Sequence, residues 1–140
     1  MPKAKKGDFF DQLEGMSARE RERYQGQRLR ESMEHAYRYA PSAREVFDRA
    51  GVKPADIRTA EDLGKLPITR KGDLIELQKS QPPFGGFLAI PPEEVDRIFI
   101  TPGPVYGPHQ TEEISWFGKT IYAAGFRKGD VVINTPTYHM

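Results

Sequence analysis

The sequence predicts an α/β protein: a helical amino-terminal subdomain followed by a parallel βαβ unit. Three observations predict it. Residues 17–80 carry apolar side chains at intervals of three and four between charged ones, two short β-prone runs stand at residues 97–100 and 131–133, and a helical pattern separates those runs. A chain of 140 residues is one ordinary domain at most, able to bury roughly two-thirds of its unfolded surface.

The first element follows a polar, basic opening, Met1 to Gly7, and residues 1–16 are expected to be a flexible tail. Within it Phe9, Phe10 and Leu13 form a small apolar cluster suited to docking on the domain or on a partner. Ser17-Ala18-Arg19-Glu20 has capping-box spacing and opens a helix running to about Tyr39. Leu29, Met33, Ala36, Tyr37 and Ala40 make its apolar stripe, and mixed charges cover the remaining faces as a solvated surface. Pro41 ends it, because proline disfavours helical geometry in the preceding residue. Ser42 starts a second helix carrying Val46, Phe47 and Ala50, with Gly51 at the left-handed position beyond its end. Thr59 begins a short acidic helical turn, Leu66-Pro67-Ile68 is an extended link, and Thr69 caps a helix containing Leu74, Ile75 and Leu77. Asp56, Asp62 and Asp73 read as caps and turn residues, and Gln81 to Phe87, with two prolines and two glycines, as a shaped loop.

The remainder of the chain, residues 81–140, changes rhythm. Arg97-Ile98-Phe99-Ile100 is β-prone, a proline- and glycine-dense stretch follows, and Thr111 opens a helix that buries Ile114, Phe117, Ile121, Tyr122 and Ala124. Gly125 ends that helix, Lys128-Gly129-Asp130 turns the chain, and Val131-Val132-Ile133 forms the second strand. Strand, helix and strand within about forty residues predict a parallel pair with a right-handed crossover.

Composition excludes several chemistries. Basic and acidic residues number 21 and 20, so no polyanion is expected as an obligatory partner. The absence of cysteine removes disulfides, thiolate zinc sites and thiol catalysis. His35, His109 and His139 lack metal-ligand spacing, and no paired carboxylates suited to hydrolysis are apparent. No apolar run approaches a bilayer span and no signal peptide is recognisable, so a soluble cytoplasmic protein is expected.

Ligands of open parallel sheets bind at the carboxyl ends of the strands. Two loops leave those ends, residues 101–110 and 134–140, and they hold Thr101, Tyr106, His109, Asn134, Thr137, Tyr138 and His139. Gly103 and Gly107 stand where phosphate-cradling glycines would, yet Pro102, Pro104 and Pro108 contribute no N–H. The plain alternative is that proline and glycine merely shape tight connections and that His139 faces solvent. His35, on or beside the first helix's stripe, reads as a packed or surface residue.

Tyr39-Ala40-Pro41, Phe47 to Val52, Asp56 to Leu63, Leu66 to Leu74, Pro83 to Phe87, Ile90 to Ile98 and Ala123 to Val132 form an ordered set of segments. Taken in that order, they resemble the amino-terminal region of phenylacetate–coenzyme A ligases of the adenylate-forming superfamily. The resemblance implies that the strands begin an adenylate-forming large domain, truncated here. It implies an acid–thiol ligase that uses ATP, Mg2+ and coenzyme A, forming an acyl-adenylate that the thiol then converts to a thioester. On the same ground Thr101, Gly103 and Gly107 are candidates for the ATP phosphate loop, and Tyr138 and His139 for the acyl pocket. The family loop reads Ser-Ser-Gly-Thr-Thr-Gly-Lys-Pro, whereas Thr101 to Pro108 has an extra residue between its glycines and no lysine. The expectation is an inactive amino-terminal portion of such a ligase. A non-catalytic interaction module on the same fold is the alternative.

Overall fold

The structure, a computed structural model, describes residues 9–110, 115–133 and 135. The chain divides into two compact units, Met16–Glu113 and Met1–Gly15 with Ile114–Met140.

In the larger unit, helix α1 spans Ala18–Tyr39 and α2 Pro41–Ala50. The expected capping box is present: the Ser17 hydroxyl accepts from the Glu20 N–H, and the Glu20 carboxylate accepts the Ser17 N–H at 2.8 Å. The stripe of Leu29, Met33, Ala36 and Tyr37 is half-buried, and Ala40 beyond it is fully buried. Arg44 closes the α1 terminus, its guanidinium donating to the carbonyls of Tyr37 (2.9 Å) and Arg38 (2.7 Å) that the helix leaves unpaired. Helix α2 ends with Gly51 at φ +65°. The Gly51 N–H meets the Asp48 carbonyl and the Val52 N–H the Phe47 carbonyl, the paired bonds of a Schellman end.

Short 3-10 turns follow at Pro54–Asp56 and Ala60–Lys65. Asp56 and Asp62 act as turn caps. Asp62 accepts the N–H groups of Arg58 (2.9 Å) and Thr59 (3.0 Å) and pairs with Lys65 at 2.6 Å. These partners, the Lys65 ammonium first, hold its carboxyl far below the usual carboxylate range. Helix α3 spans Lys71–Ser80; Arg70 rather than Thr69 occupies its cap position, and the Asp73 carboxylate accepts the Arg70 N–H at 3.2 Å. The loop after it contains a cis Pro82–Pro83 bond and two glycines in the left-handed region, Gly85 and Gly86. Phe47, Ile57 and Phe84 complete the buried apolar set, with Ile57 wholly enclosed.

Strand β1, Arg97–Ile100, forms as expected, but its partner does not. It pairs antiparallel with β2, Tyr106–His109, in the register Arg97 to His109 and Ile100 to Tyr106. The parallel βαβ unit is thereby corrected to a hairpin. Pro102, Gly103 at φ +85° and Pro104 reverse the chain within a few residues, so the nearest extended segment supplies the ladder. Val131, Val132 and Ile133 adopt no strand, and Val131 is 94% exposed. An isolated β-prone run has no ladder to join and does not become a strand by propensity.

In the smaller unit, α4 spans Ser115–Ala123. Phe10 packs edge-on to Tyr122 with ring centroids 5.7 Å apart, and Lys119 pairs with Asp11 at 2.8 Å. The covered face is therefore Gly118 and Tyr122, four residues apart. Phe117 and Ile121, expected to be buried, stay 49% and 42% exposed. Gly125 ends α4 in the same Schellman manner as Gly51, and Arg127 lies over the Tyr122 ring. No helix among the described residues is long and apolar enough to cross a membrane.

Candidate functional site

The hairpin brings Thr101, Gly103, Tyr106, Gly107 and His109 together, on a two-stranded support rather than at the mouth of a parallel sheet. The Thr101 N–H donates to the Val105 carbonyl at 3.1 Å, which sets the phase of the ladder. Pairs 99/107 and 97/109 then exchange hydrogen bonds, while Ile100/Tyr106 and Ile98/Pro108 turn their backbone groups outward. Pro108 thus stands where an N–H would not serve the ladder. Tyr106, equally outward, is met by a side chain from α3. Gln78 accepts the Tyr106 N–H at 2.8 Å and donates to the Tyr106 carbonyl at 2.9 Å. Lys71, at the start of the same helix, reaches the Pro102 carbonyl at 3.4 Å.

Thr101 and Gly103 are exposed at the tip. A side chain at Gly103 would meet nothing within 4 Å, so its freedom serves the turn's left-handed backbone and not a close approach of another chain segment. Gly107 lies inside β2 opposite Phe99, away from the tip, and His109 packs edge-on to the Phe99 ring at 4.9 Å. The expectation that residues 101–110 form one loop is corrected here: only the tip is loop, because residues 106–109 are strand.

The donors at the tip include the Gly103 N–H between two prolines, the Val105 N–H, the Thr101 hydroxyl and the nearby Lys71 ammonium. That set suits contact with an anionic oxygen, but has fewer N–H groups than a loop of glycine, serine and threonine. For a divalent ion, no cluster of three carboxylate or histidine side chains occurs among the described residues. Asn134, Thr137, Tyr138 and His139 lie outside the described residues. His35 is exposed, bonds the Ala89 carbonyl through Nε2 at 2.8 Å and lies tilted against the Tyr39 ring, a packed surface residue as expected.

Open clefts occur elsewhere in the larger unit. One of about 720 Å³ is bordered by Ser42, Arg49, Lys65, Ile68, Leu77 and Phe87, and one of about 560 Å³ lies between α1 and the turn at Arg58. Thr101, Gly103 and Gly107 line neither. Sequence reasoning missed Lys71 and Gln78, because a lysine and a glutamine on a short helix carry no pattern that announces a long-range contact.

The fold matches solved structures of adenylate-forming coenzyme A ligases. A 2-hydroxyisobutyryl-CoA ligase in its postadenylation state, in complex with R3-HIB-AMP, superposes with a TM-score of 0.80 at 26% identity over 93% of this chain and 28% of that one. The same ligase with 2-HIB-AMP and CoA, in its thioesterification state, gives 0.72 at 27% identity over 82% and 26%. The mixed helical and small-sheet architecture is thus that of the amino-terminal part of such ligases.

Sequence narrows the class. Phenylacetate-coenzyme A ligases from Pseudomonas putida and Aromatoleum evansii are 38% and 37% identical over 132 and 134 residues. The enzyme from Escherichia coli is 37% identical over 124. This chain is similar to an amino-terminal part of phenylacetate-coenzyme A ligases, matched over about 90% of its own length, and spans 29% of the first two relatives. No protein-family model matches it.

Proposed function

We propose that this chain is the amino-terminal portion of an ATP-dependent acyl- or aryl-coenzyme A ligase, inactive by itself and acting in the cytoplasm. The observation that carries this is the 37–38% identity to phenylacetate-coenzyme A ligases over about 90% of the chain, with the fold in agreement. In the reaction, a carboxylate oxygen attacks the α-phosphorus of ATP and pyrophosphate leaves. The thiol sulfur of coenzyme A then attacks the acyl carbon and AMP leaves. Such chemistry depends on holding the carboxylate in line with the phosphorus and on donors aimed at phosphate oxygens.

In this proposal residues 1–16 are a tail, 17–80 the helical subdomain and 81–140 the start of the nucleotide-binding domain. Thr101 and Gly103 at the hairpin tip contact ATP phosphate oxygens, with Gly107 behind them. Tyr138 and His139 serve the acid. Mg2+ and coenzyme A belong to the complete ligase, and none of the described residues is assigned to either. A second reading, a non-catalytic interaction module, draws on the three prolines that remove N–H donors from this hairpin.

A chimera separates the two. The chain by itself should release no pyrophosphate from ATP and phenylacetate. Placed in the Pseudomonas putida ligase in exchange for the matching residues, it should support acid-dependent release, and Gly103→Trp in that chimera should weaken ATP. A soluble, folded chimera that binds no ATP, or is indifferent to Gly103→Trp, would assign the hairpin to the module reading.

A further inference from the structure

We propose that Gln78 is a positioning residue, whose carboxamide stands in for a third strand on the outer edge of β2 and sets where the tip at residues 101–105 is held. The functional weight of that placement rests on the ATP-loop assignment above; the placement itself does not.

The carboxamide is matched at both ends. Its oxygen takes the Tyr106 N–H and its nitrogen gives to the Tyr106 carbonyl, the two outward groups a neighbouring strand would satisfy. Gln78 is only 8% exposed, so an unmatched amide there would be costly. Its stem is fixed from behind by Gly85. A Cβ on that glycine would come within 3.3 Å of Gln78 Cγ and 3.2 Å of the Leu77 backbone. Gly85 is in turn held by the Ser42 hydroxyl, which donates to its carbonyl at 2.7 Å. A continuous line of contacts therefore runs from the start of α2 through the Gly85 backbone and α3 to the hairpin. Lys71 stands seven residues before Gln78, two helical turns or about 10 Å away on the same face. From there it meets the Pro102 carbonyl. Helix α3 thus holds the hairpin at its strand and at its tip.

The test is amide hydrogen exchange on the 140-residue chain, read residue by residue by NMR. In Gln78→Met, of similar length but without either polar end, the Tyr106 amide should exchange about tenfold faster, as the loss of one net hydrogen bond allows. The Gly103 and Val105 amide resonances should shift, and those of α1 should not. Gln78→Glu keeps the acceptor for the Tyr106 N–H and loses the donor, so its Tyr106 exchange should fall between wild type and Gln78→Met. Lys71→Met should move the Gly103 resonance and leave Tyr106 protection intact. Unchanged Tyr106 exchange in Gln78→Met overturns the proposal. Should that variant fail to fold, Gln78→Glu decides: a Tyr106 amide exchanging as in wild type, with unmoved tip resonances, overturns it equally. The chimera separates the two levels: ATP binding there that is indifferent to Gly103→Trp would remove the nucleotide assignment, while the exchange data still judge Gln78.

Discussion

Replacing Gly86 by alanine should be among the most damaging single-methyl changes in the larger unit. Gly86 sits at φ +71°, where a residue bearing a Cβ pays about 1–2 kcal/mol. The added Cβ would lie only 2.4 Å from the Ser42 Oγ and 2.6 Å from the Gln81 Oε1. The Gln81 amide ends a flexible exposed side chain and can swing away. Ser42 cannot: it is 3% exposed, and its hydroxyl is committed to the Gly85 carbonyl at 2.7 Å. Displacing it leaves buried polar groups unmatched, at about 1–3 kcal/mol. The sum is about 2–5 kcal/mol, or about 1–2.5 M in the urea midpoint at a slope of about 2 kcal/mol/M. Gly51→Ala is the control, since Gly51 has φ +65° but nothing within 4 Å of an added Cβ, so it should show the conformational part alone. Urea unfolding followed by far-UV circular dichroism measures both. In a Ser42→Ala background the extra cost of Gly86→Ala should shrink toward that of Gly51→Ala. Equal midpoint shifts for Gly51→Ala and Gly86→Ala in the wild-type background would refute the steric argument.

Ile57→Ala should lower stability by about 2–5 kcal/mol in the same urea experiment, because Ile57 has no exposed surface and its removal leaves a cavity. Ser17→Ala should cost about 1 kcal/mol and fray the start of α1, seen as faster amide exchange at Glu20. Asp62→Asn should destabilise in a pH-dependent way. The folded carboxyl is held below its ordinary value of 3.8, so its contribution is complete above that value and disappears as pH falls through it toward the folded one. Thermal midpoints of wild type and Asp62→Asn should therefore differ by a constant amount near neutral pH and draw together progressively as pH falls below 3.8.

Local rules written in the sequence determined much of this protein. The Ser17–Glu20 box, the stop at Pro41, the glycines that end α2 and α4, and the aspartate caps at Asp56 and Asp62 all depend on groups within five residues of one another, so spacing alone reveals them. The half-buried stripe of α1 was equally legible, since helical periodicity states which face turns inward. The ordered segments also pointed to the relatives that the chain matches.

Tertiary structure decided the pairing of β1 and the surroundings of the candidate loop. A strand's propensity does not say which segment will meet its edge. Proximity through the Pro-Gly-Pro turn brought Tyr106–His109 there, although a glycine and a proline conceal that segment's strand character. Gln78 and Tyr106 are 28 residues apart, and Ser42 and Gly85 are 43 apart. Such contacts arise from the packing of whole elements, a property of three-dimensional shape that no local spacing encodes.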